Sequence, residues 1–101
     1  MGCKVIFAPQ AISDLAEAVR RIARDDPATA QRIGNALIDR VAILENFPLL
    51  GSSCSGRPCV RKLVSQPYII YYRARPDEAL VEILRYWHGA RGDVPELESG
   101  G

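Results

Sequence analysis

The 101-residue chain has three cysteines, one histidine, one tryptophan and one methionine, and little charge of either sign to spare. No apolar run comes near the roughly 20 residues of a membrane span. Cys3, Cys54 and Cys59 are too few, and odd in number, for a disulfide scaffold. Cys54-x4-Cys59 with the single His88 does not reach four ligands at a zinc spacing, so no metal is expected. Gly51 and Gly56 lack the lysine that follows a phosphate-binding loop, and no cofactor is expected either. His88 has no Gly-x-Ser-x-Gly nucleophile to serve, and no cysteine sits where its pKa is obviously lowered. The opening MGCKVIF is too short for a signal peptide, so a reducing cytoplasm is expected. Internal repeats and low-complexity tracts are missing too.

What is present is the composition of one globular domain: 48% apolar and 25% charged residues. We expect a single domain over 1–97 and a flexible tail over 98–101, with fraying from Gly92 onward. Thirteen basic residues meet twelve acids, for a net charge of +1. The distribution is uneven. Residues 1–56 carry six of each sign, residues 57–91 seven basic against three acidic, and residues 92–101 three acids alone. The basic second half suits an acidic partner or a phosphate backbone, although arginine on solvated strands is also common.

Lys4-Val5-Ile6-Phe7 is β-branched and aromatic and reads as a strand ended by Pro9. Ala11, Leu15, Ala18, Val19 and Ile22 then recur at helical spacing to about Arg24. Asp26-Pro27 predicts a cap and first position for a second helix, whose stripe is Ala30, Ile33, Leu37, Val41 and Leu44. Gly34 within it marks a close helix crossing. Phe47 to Pro58 reads as a loop. Three strand-like runs follow: 59–64, 68–73 and 80–87. The order β-α-α-β-β-β predicts an α+β fold, a helical hairpin packed on an antiparallel sheet that ends in a three-stranded meander. The central strands are so apolar that the second sheet face must be partly covered or be a binding surface.

The chemistry-bearing residues gather on the meander: Arg61, Lys62, Tyr68, Tyr71, Tyr72, Arg73, Arg85, His88 and Arg91. Strand alternation puts Tyr68, Ile70 and Tyr72 on one side, and sets Ile83, Arg85 and Trp87 against Leu84, Tyr86 and His88. Arginines beside tyrosines suit phosphodiester work, the guanidinium holding phosphate and the phenol stacking or moving a proton. The same residues serve equally well as structure, tyrosine as a strand former and arginine over an aromatic or paired to a carboxylate. Glu82 is placed to neutralise an arginine across a strand.

The run Phe47-Pro48-Leu49-Leu50-Gly51, Arg61-Lys62-Leu63, Tyr68-Ile69-Ile70-Tyr71-Tyr72-Arg73, Ile83-Leu84-Arg85 and His88-Gly89-Ala90-Arg91 resembles the ParE-like branch of the RelE/ParE superfamily, the plasmid-stabilisation toxins of toxin–antitoxin pairs. The resemblance spans Val5 to about Leu97. It implies one of two activities. ParE-like members poison DNA gyrase by protein–protein binding and block replication; RelE-like members cleave messenger RNA on the ribosome. A nuclease would use Arg61 and Arg85 for phosphate, with His88 or Tyr72 for proton transfer. The modest basic surplus, the His88-to-Arg91 motif and the acidic end favour the gyrase inhibitor, which has no catalytic site. On that reading the segment from Arg85 to Leu97 carries toxicity, chiefly Arg85, His88 and Arg91, while Arg61 packs under Tyr71 or Tyr72. An inactive relic that still binds its antitoxin is the third possibility. The resemblance further implies a cognate antitoxin of the ribbon-helix-helix or a similar DNA-binding type, forming a hetero-oligomer through a helix laid on the hairpin and a strand added to the sheet. Operator DNA is then reached only through the antitoxin.

Overall fold

Strand β1 (Lys4–Phe7) leads into helix α1 (Pro9–Ala23), α1 into α2 (Pro27–Ala42), and α2 through a 3-10 turn at Ile43–Glu45 into the sheet. The structure, a computed structural model, describes residues 2–54, 56–95 and 97; the expected tail at 98–101 lies outside the described residues. Pro9 begins α1 rather than merely ending the strand, because a first-turn N–H has no partner to lose. Asp26 caps α2: its Oδ1 accepts the Thr29 N–H at 3.1 Å and its Oδ2 the Thr29 hydroxyl at 2.6 Å. Gly34 lies where the helices cross; a Cβ there would sit 3.1 Å from Val19 Cγ2.

The remaining strands are β2 (Ser52–Ser53), β3 (Val60–Ser65), β4 (Tyr68–Arg75) and β5 (Leu80–His88). They form one sheet in the order β1-β5-β4-β3-β2. The α+β arrangement of a helical hairpin on a meander therefore holds, with two finer differences. The sheet is mixed, because β1 runs parallel to β5, Lys4 opposite Leu80 and Phe7 opposite Ile83. The helices carry the chain across the sheet face and the meander returns it beside β1 in the same direction. Ser52 and Ser53, within the expected loop, pair with Lys62 and Arg61.

The face beneath the helices holds the larger core: Leu37, Val41 and Leu44 against Leu63, Tyr68, Ile70, Tyr72, Val81, Ile83 and Tyr86. A second cluster fills the opposite face, where Val60, Tyr71, Leu84 and Trp87 meet Leu97. Pro95 is fully buried as well. Pro95 and Leu97, within the stretch expected to fray, are thus packed onto the sheet. An apolar sheet face left open costs about 25 cal/mol for each Å² wetted, and this segment covers it.

Strand alternation fails at one residue. Tyr71 faces Arg85 but Tyr72 faces Ile83, so Leu84 is an extra residue without an opposite number. Such a bulge places two residues against one and reverses the side-chain parity beyond it. Ile83 and Tyr86 therefore share the helix-facing core, while Leu84 and Trp87 go to the other face. The expected grouping of Ile83 with Arg85 and Trp87 is corrected accordingly.

Candidate functional site at the end of the last strand

The bulge aims the end of β5. Trp87 points to the face under Leu97, and its indole N–H donates to the Asp93 carbonyl at 3.0 Å. Two guanidinium groups lie at its ring, Arg91 at 3.8 Å from the centroid and Arg85 at 5.1 Å. A cation over the face of tryptophan is attracted by the ring quadrupole, so both arginines are held in place before any partner arrives. His88 stands edge-on to Tyr68 at 5.2 Å, on the helix side. Its Nδ1 accepts the Ala90 N–H at 3.1 Å and starts the 3-10 turn Gly89–Arg91. Arg85 and Arg91 therefore meet at Trp87, while His88 lies on the helix side, where it shares a cleft with Arg91.

Arg85 is the least available of the three. Asp14 on α1 takes its Nε at 2.6 Å and its Nη2 at 3.0 Å, and the Arg85 side chain is 17% exposed. The hydrogen bond to Asp14 raises its pKa further. Asp14 also accepts the Tyr86 N–H at 3.1 Å, a backbone donor beyond the reach of β1. Sequence reasoning missed Asp14. It lies 71 positions from its partner, and the helical pattern marked it only as one of several polar residues.

Arg61 and Tyr72 sit elsewhere. They are directly opposite each other on β3 and β4, and both hold Gly51. The Gly51 N–H donates to Tyr72 Oη at 2.8 Å, while Arg61 Nη1 donates to the Gly51 carbonyl at 2.7 Å and the Leu49 carbonyl at 3.3 Å. A Cβ on Gly51 would lie 2.5 Å from the Lys62 carbonyl, which is why glycine stands here. Tyr72 is completely buried, and burial raises its pKa. The Phe-Pro-x-x-Gly, Arg-Lys-Leu and Tyr-Tyr-Arg signatures are thus one clasp fastening the loop after α2 to the sheet. Arg61 and Tyr72 are thus joined through Gly51, each bonded to its backbone. Arg73 pairs with Glu82 at 3.1 Å, the cross-strand neutralisation expected of Glu82.

Among the described residues no three His, Cys, Asp or Glu side chains are grouped to hold a metal, and no helix is long and apolar enough to cross a membrane. The chain is similar to the chromosomal ParDE toxin–antitoxin system from P. aeruginosa, at a TM-score of 0.73 and 20% identity over 85% of this chain and 95% of that one. It is also similar to the toxin–antitoxin complex RelBE2 from Mycobacterium tuberculosis, at 0.63 and 23% over 87% and 99%. These likenesses establish the fold. No curated protein matches the chain. Residues 5–92 match the family described as the ParE toxin of the type II toxin-antitoxin system parDE, and the chain belongs to that family.

Proposed function

We propose that the chain is the toxin of a type II pair that binds DNA gyrase in the cytoplasm, blocks replication, and is neutralised by a cognate antitoxin. One observation carries the choice of binding over RNA cleavage. Three of the four groups a nuclease would use are engaged internally, Arg61 and Tyr72 on Gly51 and Arg85 on Asp14. A general acid–base pair must reach its substrate within hydrogen-bond distance, and a phenol at zero exposure does not. The toxicity contacts are then His88 and Arg91, with Arg85 acting through Asp14 and Trp87 to position them.

The antitoxin reading rests on two features. Past the two-residue β2, the outer edge of β3 at Leu63–Ser65 pairs with no strand among the described residues and suits an added one. Ile38, Phe47, Leu49 and Leu50 are exposed apolar side chains on and after α2, suited to an amphipathic helix. Purified chain added to gyrase and relaxed plasmid is expected to stop supercoiling and to leave protein-linked linear DNA. Unaffected gyrase together with messenger RNA cut on programmed ribosomes would select the nuclease; normal growth on expression without the antitoxin would select the relic.

A further inference from the structure

The helix-side cleft where α1 passes the ends of β4 and β5 encloses about 470 Å³, within the range of small-ligand sites. Its hydrogen-bond inventory is unbalanced. Asp14 has both oxygens occupied by Arg85 and the Tyr86 N–H, so it accepts little more. Glu17 is a loose neighbour, 3.7 Å from Arg21 and 70% exposed. Donors crowd the rest. Arg21 Nη2 donates to Tyr68 Oη at 3.3 Å, which leaves the phenol hydrogen free to donate. His88 accepts at Nδ1 from Ala90, which leaves Nε2 as the ring's donor position. Arg91, stacked on Trp87, closes the same cleft.

We propose that this cleft binds a phosphate group, with Arg21, Tyr68, His88 and Arg91 as its donors. Four donor-bearing residues line the cleft, one each on α1, β4, the end of β5 and the following turn. That array suits the several oxygens of a tetrahedral phosphate better than the two coplanar oxygens of a carboxylate. Neither Arg21 nor Tyr68 belongs to the proposed gyrase contact, and the site stands whether or not gyrase is the target. The phosphate comes either from a free nucleotide or from a nucleic-acid backbone.

His88 is the chain's single histidine, so its ring protons report the cleft without ambiguity. We would titrate the free chain with inorganic phosphate, adenosine 5′-monophosphate and a short oligodeoxythymidylate, following the His88 ring by NMR against sodium chloride at matched ionic strength. A saturable shift is expected with phosphate and not with chloride. Arg21→Ala should weaken binding about fivefold or more, and Glu17→Gln should tighten it about twofold. Both positions are exposed on α1, so both variants fold. Oligonucleotide binding tighter than the monophosphate assigns the site to a strand backbone; the reverse assigns it to a free nucleotide. A shift that chloride reproduces, or equal affinity in both variants and the parent chain, overturns the site.

Discussion

Asp14 and Arg85, 71 positions apart, are joined by two charge-assisted hydrogen bonds of 2.6 and 3.0 Å that tie α1 to the last strand just past its bulge. Removing one partner of a largely buried pair leaves the other charge uncompensated. Arg85→Ala and Asp14→Ala are each expected to cost about 2–3 kcal/mol in urea denaturation, the low end because both side chains keep some solvent. The double variant should cost clearly less than the sum of the two. Additive losses would show that the pair is not coupled.

Gly51 lies under Tyr72 with no room for a methyl group. Gly51→Ala is expected to destabilise by about 1–3 kcal/mol through overpacking. Tyr72→Phe leaves the buried Gly51 N–H without its acceptor and should cost a similar 1–3 kcal/mol. Thermal melts of the two variants test the clasp, and an unchanged melting temperature in both would remove it.

Glycine has the opposite effect at two other positions. Cys59 has φ +66° and Ala79 φ +51°, a left-handed conformation that costs a side-chain-bearing residue about 1–2 kcal/mol. Glycine relieves that strain but adds unfolded-state entropy worth about 0.4–1 kcal/mol. Cys59→Gly and Ala79→Gly should therefore raise stability slightly, by up to about 1 kcal/mol. Loss of stability in both would contradict the turn geometry at these sites.

Burial pushes the Tyr86 hydroxyl up to about 12 from its ordinary 10.0, and raises Tyr71 and Tyr72 as well. The folded chain therefore holds these protons at a pH where the unfolded chain has released them. Their contribution to stability is complete below pH 10 and falls as pH rises from 10 towards 12. Absorbance at 295 nm should show these phenols ionising together with unfolding. Reversible ionisation near pH 10 in a chain that stays folded would contradict their burial.

Much of this architecture is legible in the chain itself, because the signals are local. The apolar stripes of both helices, the Asp26 cap, the Gly34 crossing and the three long strands follow from periodicity over a few residues. What escapes is non-local or rests on a single residue. Leu84 reverses the facing of the end of β5, yet nothing in Ile83-Leu84-Arg85 distinguishes a bulge from a regular strand. The parallel pairing of β1 with β5 depends on the whole path of the chain. Arg61, Tyr72 and Arg85 have the right chemistry for phosphate, and only their partners Gly51 and Asp14 show how they are engaged. Leu97 looks like part of a polar tail until the face it covers is known.

Inhibition by binding differs from inhibition by turnover in stoichiometry. Gyrase supercoiling measured against increasing amounts of the chain is the direct test. Inhibition by binding predicts that activity falls in proportion and ends near one chain per gyrase subunit, is restored by stoichiometric antitoxin, and is spared by a folded His88→Ala/Arg91→Ala variant. Complete loss of activity at a small fraction of that ratio, or full inhibition by the double variant, would contradict it.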